Sequence, residues 1–427
     1  MNDSEPHATA GLSLGEDISA GPHPLRQPTA STPHILVIGG GVTGLVTAWL
    51  LVDRGYQVTV VSREWASFGP GQRLTSQISG ALWELPPTQC GGVRAVDQEL
   101  SQGDLETVQK WAMESFAVYY RMAVNPQLAR ASGVKMKMCT VFHTYAVANN
   151  EVTYRKMELA KQVSPNGFHW GIDLAKRYGV NVEAYGGLKD AYEHLAPIID
   201  TDVAMAFLMR LVRSKGAKLH TDSVLGDILN HETHLLNIYG ADAIVNATGM
   251  AARDTAADRK IYPLRGALLR VINDGSNFAK IENSIILAAE TKADGTYEDI
   301  AFIVPRNDNI LVLGSLEQPH KAQLDLTSDS PEIWKMRKRC EDLLPRLKGA
   351  RLDVDYPLAQ GLRPYRDSRI RLEREKRSTW DGRESRIVHC YGHGGAGWSL
   401  AFGSSRECVR LVEDVILSSK PRISCHM

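Results

Sequence analysis

Residues 34–61 constrain the fold more than any other part of the chain. An apolar strand predicted over residues 35–38 leads into a glycine-rich turn, an apolar helix over residues 45–52 and a second apolar strand over residues 57–61. This order is typical of a βαβ unit, in which a helix packs on a parallel sheet. The sequence therefore predicts a doubly wound α/β domain that begins at the first of these strands.

Three glycines in the strand-to-helix turn have the spacing G-x-G-x-x-G. Gly39 permits the tight turn, Gly41 lets the backbone approach a pyrophosphate, and Gly44 allows close packing of helix and strand. Free N–H groups and the positive end of the helix dipole would receive the phosphate charge. A glycine turn with a purely structural role is the alternative, but the βαβ context favours a dinucleotide site.

Composition excludes several other classes of protein. The chain has 427 residues, enough for about two domains, and its formal net charge of zero gives no indication of nucleic acid as a partner. The six cysteines are scattered without a C-x-x-C pair, which argues for a reducing compartment and against a disulfide scaffold or a zinc site. No apolar run is long enough to span a bilayer, so no membrane association is expected.

Both ends of the chain are predicted to lie outside the folded domains. Residues 1–33 are rich in Ser, Pro, Gly, Ala and His without sustained periodicity, and we expect a disordered tail there. They lack the apolar core of a secretory signal and the Arg-rich amphipathicity of a transit peptide. Residues 419–427 are expected to form a second tail. They do not end in an S-K-L-type tripeptide, so the cytoplasm is the expected location.

Further helices and strands are predicted along the chain. The periodicity indicates a helix over residues 104–124, capped by Asp104, and another that begins at Thr201 and stops at Gly216. Additional strands are predicted over residues 267–272, 284–288, 300–304 and 310–313. We therefore expect helices around a parallel sheet, with strand-rich and helical insertions between them.

The resulting fold class is α/β, with a discontinuous Rossmann-like domain and an interleaved, mixed-sheet α+β domain. The Rossmann-like, dinucleotide-binding domain is predicted to comprise residues 34–90, 196–263 and 372–418. The second domain, which would hold the substrate, is predicted to comprise residues 91–195 and 264–371.

A second glycine-rich segment, residues 391–399, again lies between a strand and a helix. The first turn alone leaves the dinucleotide open, because Arg63 after the second strand could meet the 2′-phosphate of NADP. Two glycine turns more than 300 residues apart suit a long cofactor that lies extended through the domain, which favours FAD. The second turn would bring N–H groups to the pyrimidine end of the flavin and stabilise negative charge there. The alternative is a tight turn between core elements.

The chain from residue 34 to residue 418 resembles the FAD-dependent D-amino acid oxidases, together with D-aspartate oxidase and relatives. Two blocks are specific to that family: G-L-R-P-Y-R-D-S-R-I-R-L-E-R-E at residues 361–375 and H-C-Y-G-H-G-G-A-G-W-S at residues 389–399. Shorter blocks accompany them: V-I-G-G-G-V-T-G-L at residues 37–45, T-S-Q-I-S-G-A-L-W at residues 75–83, I-V-N-A-T-G at residues 244–249 and L-R-G at residues 264–266.

The resemblance implies FAD as the cofactor and assigns its contacts residue by residue, mostly to the two glycine turns and the 75–83 block. The implied contacts are Gly39, Gly41, Gly44, Thr75, Ser76, Gly80, Ala81, Leu82, Val224, Gly394, Gly397, Trp398 and Ser399. Val42, Thr43, Arg63 and Gly395 are further predicted cofactor residues.

The resemblance also implies a catalytic set. Arg363, in the G-L-R-P block, matches the arginine that holds the substrate carboxylate, which a guanidinium fork binds in a bidentate manner. Without the motif, an arginine in this basic stretch could equally be a surface ion-pair residue. Phe302 stands where the family has a substrate tyrosine, and Tyr297 lies one place out of register with a second one. Gly395 completes the set, whereas His393 is expected to hydrogen-bond the backbone in a structural role.

The implied reaction is oxidative deamination of a D-amino acid to a 2-oxo acid, with ammonia and hydrogen peroxide as the other products. Its partners would be a small amino acid or amine and molecular oxygen, and no metal is predicted. The hydroxyl missing at Phe302 keeps open a second interpretation, oxidation of a secondary amine or an amino-acid-derived intermediate of specialised metabolism. A catalytically silent FAD protein is a third interpretation. A homodimer is left open, as is the peroxisomal location that the resemblance suggests and the C-terminus does not support.

Overall fold

The structure is a computed structural model that describes residues 12–69, 71–86, 102–164, 166–288 and 300–419. Its strands form a six-stranded and an eight-stranded sheet. The helices are α1 (Val42–Asp53), α2 (Thr75–Ile78), α3 (Gln102–Val124), α4 (Pro126–Ser132), α5 (Glu151–Val163), α6 (Leu174–Tyr178), α7 (Thr201–Ser214), α8 (Ile228–Tyr239), α9 (Ala252–Thr255), α10 (Pro331–Leu343) and α11 (Ala401–Ser419). None of these helices, within the described ranges, is long and apolar enough to cross a membrane.

The six-stranded sheet contains the βαβ unit predicted from the sequence. Its strands are β1 (His34–Ile38), β2 (Gln57–Ser62), β6 (Lys218–Thr221), β7 (Ala243–Asn246), β13 (Arg371–Arg374) and β14 (Ile387–Tyr391). They lie in the order β13-β14-β7-β1-β2-β6, and all neighbours are parallel except β13 and β14. The chain leaves β1 for β2 on one side, while β7 lies on the other. The carboxyl end of β1 is therefore a topological switch point, where such sheets bind ligands.

The eight-stranded sheet shares no strand with the six-stranded, Rossmann-like sheet. Its strands are β3 (Val134–His143), β4 (His169–Trp170), β5 (Asp190–Ile199), β8 (Ile261–Ile272), β9 (Ser284–Leu287), β10 (Ala301–Pro305), β11 (Ile310–Pro319) and β12 (Leu358–Arg366). They lie in the order β12-β8-β11-β10-β9-β3-β5-β4. Only β3 and β9 pair in parallel among these strands, so the sheet is mixed, as predicted.

The helices α1, α7 and α11 pack together through a buried tryptophan. The Trp49 ring meets Phe207 of α7 edge-on at a centroid distance of 6.0 Å and Phe402 of α11 at 5.7 Å. Aromatic pairs of this geometry stabilise a core beyond the area that they bury. The helix that begins at the first glycine turn is thereby held in the main hydrophobic core.

Several sequence predictions are confirmed with adjusted limits, and others are wrong. The helix predicted over 104–124 begins at Gln102, so Asp104 lies in its first turn and does not cap it. The predicted domain limits at 195/196 and 263/264 fall inside β5 and β8, whose pairing continues to Ile199 and starts at Ile261. Backbone pairing is therefore continuous across both predicted limits. The division into two domains itself stays a prediction.

The disordered tail predicted over residues 1–33 is wrong for residues 12–33. Leu14 and Ile18 are fully buried in the main core. The Ser19 carbonyl accepts a hydrogen bond of 2.9 Å from the Trp49 indole, and the Ser19 N–H donates to the Asp53 carboxylate at 2.9 Å. Apolar side chains within a polar segment thus find partners that a local composition argument does not see. Residues 1–11 and 420–427 of the predicted tails lie outside the described residues.

Candidate active site

The first glycine turn follows β1, and its geometry excludes side chains. Gly39 has a φ of +125°, and a Cβ placed there would lie 2.3 Å from the Ala247 carbonyl oxygen. A Cβ at Gly44 would lie 1.9 Å from the Gly39 carbonyl oxygen. Only glycine lets the strand turn this sharply and α1 approach this closely.

The N-terminus of α1 has no side-chain cap of its own. Gly41 occupies the N-cap position with extended backbone. The Val42 N–H donates to Ser76 Oγ at 3.0 Å, which ties α1 to the helix α2. Helix N-termini carry unsatisfied N–H groups and partial positive charge, so this turn can receive an anionic pyrophosphate.

The second glycine turn meets the first in space. A Cβ at Gly397 would lie 3.7 Å from Val42 Cγ1, and the Trp398 indole N–H donates to the Ser76 carbonyl at 2.9 Å. Gly394 has a φ of +57°, and its N–H donates to the Pro364 carbonyl at 3.0 Å. Segments far apart in the sequence therefore form one wall, which links the glycine turns to the G-L-R-P strand.

The loop after α2 completes this wall from the other side. Ala81 has a left-handed φ of +43°, and its carbonyl accepts the Ile199 N–H at 2.9 Å. The Glu84 N–H donates to Ser399 Oγ at 3.1 Å. These bonds hold the loop against both the end of β5 and the second glycine turn.

The four segments enclose a cavity of about 1090 Å³. Most of the predicted cofactor residues lie on its wall: Gly39, Gly41, Val42, Thr43, Arg63, Thr75, Ser76, Gly80, Ala81, Leu82, Val224, Gly394, Gly395, Gly397, Trp398 and Ser399. The glycine turns and the N-terminus of α1 on this wall fit a bound dinucleotide. Whether each of these residues contacts the cofactor stays a prediction.

Two of the predicted cofactor residues, Gly44 and Arg63, differ from the others in position or exposure. Gly44 lies outside the cavity wall and packs against Gly39, where it allows the close approach of helix and strand, so its cofactor contact stays a prediction. Arg63 does line the cavity, but its side chain is 74% exposed and pairs with Glu64 at 3.0 Å. A solvated pair of this kind is worth little and leaves the guanidinium able to rearrange.

Arg363 lies on the same cavity wall, half-buried on β12. Its Nη1 donates to the Leu316 carbonyl at 3.1 Å, and its Nη2 donates to Ser315 Oγ at 3.0 Å. A Cβ at Gly266 would lie 2.4 Å from Nη1, so the glycine of the L-R-G block makes room for the guanidinium. The ion pairs of the described ranges do not include Arg363, which leaves its charge available to a ligand.

Phe302 forms an apolar part of the wall on β10. It is 4% exposed, and a Cβ at Gly80 would lie 2.6 Å from its ring. Gly80 is thus required where the loop crosses the ring. Tyr297, the other predicted aromatic contact, lies outside the described residues.

The histidines near the site are buried and have structural partners. His393 lines the cavity, and its Nε2 lies 3.1 Å from Ser404 Oγ of α11, a side-chain contact instead of the predicted backbone contact. His194 lies behind the loop, where its ring meets the Trp83 ring at 6.3 Å. Burial lowers the pKa of His194 to about 4, so this imidazole is neutral at neutral pH.

Comparison with known proteins agrees with this geometry. The sequence pattern of the FAD dependent oxidoreductase family matches residues 34–411. This chain belongs to that family. FAD is therefore its cofactor, and the two glycine turns remain its predicted binding site. Among the residues that the structure describes, no group of three or more His, Cys, Asp or Glu side chains is arranged to hold a metal ion.

Relatives named D-amino-acid oxidase match most of the chain. The protein of Streptomyces coelicolor is 30% identical over 385 residues, which cover 88% of this chain and 96% of that protein. The protein of Rubrobacter xylanophilus is 29% identical over 377 residues, which cover 88% of this chain and 94% of that protein.

Solved structures share the fold at low sequence identity. Glycine oxidase from Bacillus cereus superposes with a TM-score of 0.63 at 16% identity and covers 90% of this chain and 95% of that chain. Iminodiacetate oxidase from Chelativorans superposes with a TM-score of 0.63 at 16% identity and covers 91% and 96%.

Sequence reasoning missed several residues that build the site. Gly266 belongs to the L-R-G block, but only the close approach of Arg363 explains why a glycine is needed there. Ser315 gives no sequence signal, because a single serine on a strand looks like any other. Arg306 directly follows Pro305 at the end of β10, and it contacts the loop at Ser79. Its role depends on contacts that the sequence does not reveal.

Proposed function

We propose that this family member catalyses the oxidative deamination of a D-amino acid, with molecular oxygen as the acceptor. The overall change converts amino acid, oxygen and water into 2-oxo acid, ammonia and hydrogen peroxide. The carrying observation is Arg363, which shares one cavity with both glycine turns. The names of the relatives at about 30% identity support the same substrate class.

Arg363 would bind the substrate carboxylate. Ser315 and Leu316 already hold the guanidinium in place, so little side-chain entropy is lost when a carboxylate arrives. A fixed guanidinium fork orients a planar carboxylate and thereby the adjacent α-carbon. The two glycine turns would hold FAD, which would supply the hydride-accepting chemistry of the reaction.

The protein itself would contribute orientation and exclusion of water. Phe302 and Leu268 line the cavity with apolar surface, and both are nearly fully buried. An apolar wall strengthens the charge-assisted contact to Arg363 and favours the unprotonated amine that hydride removal requires. No acid–base triad is needed for this role.

The test is anaerobic mixing of the purified protein with D-amino acids, L-amino acids and secondary amines, followed by the flavin absorbance. We expect D-amino acids to bleach the flavin in the wild type. Arg363→Ala should retain FAD and lose kcat/KM by roughly 100-fold or more, because removing one partner of a buried charged pair costs about 3–5 kcal/mol. Arg363→Lys should restore little, since a point charge replaces a fork.

Arg374→Ala is the matched control. Arg374 lies on β13 outside the cavity and pairs only loosely with the exposed Glu384, at 3.4 Å. Its loss should leave turnover unchanged. Equal rates for wild type and Arg363→Ala on every carboxylate substrate would overturn the proposed role. Failure of every amine to bleach the flavin would favour a catalytically silent FAD protein.

A second candidate is oxidation of a secondary amine or a related amino-acid derivative. It is favoured by Phe302, which presents a ring without a hydroxyl at the cavity wall beside Gly80. Structural neighbours that act on other amines include iminodiacetate oxidase, and another is described as an unusual amino acid oxidase essential for nikkomycin biosynthesis.

Phe302→Tyr separates the two candidates. If simple D-amino acids are the substrates, the added hydroxyl should lower their KM by roughly 10-fold or more, since a hydrogen bond to a charged group is worth about 1.5–3 kcal/mol. If the cavity is shaped for another amine, the hydroxyl stays unpaired and kcat/KM on that amine should fall. An unchanged KM for both classes would mean that Phe302 does not contact the substrate.

A further inference from the structure

Arg306 is a buried guanidinium that lies outside the cavity but holds its wall. The residue is 4% exposed and follows Pro305 at the end of β10, the strand that carries Phe302. Within the described ranges, Arg306 forms no ion pair. The carboxylates of Asp200 and Asp202 are near enough to act on its pKa through space. Burial lowers the pKa of Arg306 to about 10, so the group stays charged at neutral pH.

The acceptors of this guanidinium are uncharged oxygens. Nη2 donates to the Ser79 carbonyl, while Nη1 donates to the Ile199 carbonyl at 3.1 Å and to Thr201 Oγ1 at 2.7 Å. The Nε of Arg306 has no partner. An isolated buried charge of this kind is expensive, and an apolar side chain of similar size often serves packing as well or better. Packing alone does not account for an arginine here.

The Ser79 carbonyl belongs to the loop at the cavity wall. The other two oxygens belong to Ile199 at the end of β5 and Thr201 at the start of α7. Ser79 immediately precedes Gly80 and Ala81, both of which line the cavity. Thr201 Oγ1 in turn donates to the Gln77 carbonyl at 2.5 Å. Arg306 therefore holds two carbonyls at the end of the short helix α2: that of the C-cap residue Ser79 directly, and that of Gln77 through the Thr201 hydroxyl. Carbonyls at a helix end lack partners within the helix.

The position of the loop depends on these contacts. The left-handed backbone of Ala81 and the close approach of Gly80 to the Phe302 ring restrict where the loop backbone can lie. Because Arg306 directly follows β10, the strand that carries Phe302, one segment of the chain positions both the apolar ring at the cavity wall and the loop that crosses it.

We propose that Arg306 is a positioning residue that fixes the Ser79–Leu82 backbone against the flavin. It acts through the loop carbonyls and not by touching cofactor or substrate. The proposal concerns the FAD site and holds whichever amine is oxidised.

The test compares Arg306→Met with Arg270→Met in FAD titration of apoprotein and in visible circular dichroism of the bound flavin. Arg270 is a matched control, a mostly buried arginine on β8 that pairs with Asp353 at 3.0 Å and lies outside the cavity wall. We expect Arg306→Met to raise the FAD dissociation constant by roughly 10-fold or more and to change the flavin spectrum. Arg270→Met should lower the stability of the protein but leave its FAD dissociation constant at the wild-type value.

Two further variants keep the proposal testable if Arg306→Met does not fold. Thr201→Val removes the hydroxyl between Arg306 and Gln77 at almost constant volume, and it should raise the FAD dissociation constant several-fold. Arg306→Lys should rescue only in part, because an ammonium cannot span the same acceptors. Wild-type FAD affinity and spectrum in Arg306→Met, or in Thr201→Val when the former is insoluble, would overturn the proposal. These readouts use no substrate, so they are independent of the proposed D-amino acid oxidation.

Discussion

Replacement of Lys215 by methionine should destabilise the whole fold through the N-terminal segment. Lys215 and Asp53 form an ion pair of 2.6 Å in which both side chains are fully buried. Asp53 also accepts the N–H groups of Ser19 at 2.9 Å and Leu25 at 3.1 Å, while Lys215 donates to the His23 carbonyl at 2.9 Å. The pair thus fastens the N-terminal segment to α1, the helix that starts at the first glycine turn.

The size of the effect follows from the burial of the pair. Removal of one partner of a buried ion pair typically destabilises a protein by about 3–5 kcal/mol. The lower end is expected, because Asp53 keeps the Trp49 indole N–H at 3.0 Å and the two backbone donors. Burial also lowers the pKa of Lys215 although Asp53 opposes that shift, so part of the pairing energy already offsets desolvation.

The assay is thermal unfolding followed by circular dichroism. With an unfolding entropy of about 2.1 cal/mol/K per residue, a chain of this length loses roughly 3–6 °C in Tm for about 3–5 kcal/mol. Lys218→Met is the control, since Lys218 is exposed three positions further along the chain. Trypsin cleavage after the exposed Arg26 should also become faster in Lys215→Met only.

A double variant checks the electrostatic reasoning. Asp53→Asn combined with Lys215→Met removes the stranded carboxylate charge, so it should be less destabilised than the sum of the two single variants. Additive effects, or a Tm of Lys215→Met equal to that of the wild type, would refute the reasoning.

Two further predictions concern the cofactor turn and pH. Gly41→Val should yield protein without FAD, because the new Cβ would lie 3.2 Å from Ser76 Oγ and the side chain would crowd the pyrophosphate site. Gly69→Val is the control, since a Cβ there has nothing within 4 Å, and this variant should stay yellow. The amount of FAD released on denaturation measures the cofactor content of each variant. The pKa of His194 is about 4 when folded and 6.5 unfolded, so protons bind the unfolded state first as pH falls from 6.5 to 4 and the free energy of unfolding decreases. His194→Gln should remove on the order of 3 kcal/mol of this pH dependence in urea titrations. Parallel pH profiles for variant and wild type would contradict the prediction.

The local elements were predictable because their signals are local. The apolar strand, the glycines and the apolar helix after residue 34 gave β1 and α1, although α1 starts at Val42, three residues earlier than predicted. Glycine spacing is informative because steric exclusion operates within a few residues, as at Gly39 and Gly44. The local pattern also showed the second glycine turn, whereas the family resemblance assigned the individual cofactor contacts within it and the role of Arg363.

The remaining features depend on contacts between distant segments. The contact of Gly397 with Val42 joins parts of the chain more than 300 residues apart. The burial of Leu14 and Ile18 depends on the core that receives them, so composition wrongly predicted a disordered tail. A buried charge such as Arg306 is tolerated only where its acceptors have been assembled around it. The sequence by itself determined the Rossmann-like unit and the residue types of its site, and only the tertiary structure decided which of those residues meet and what holds them in place.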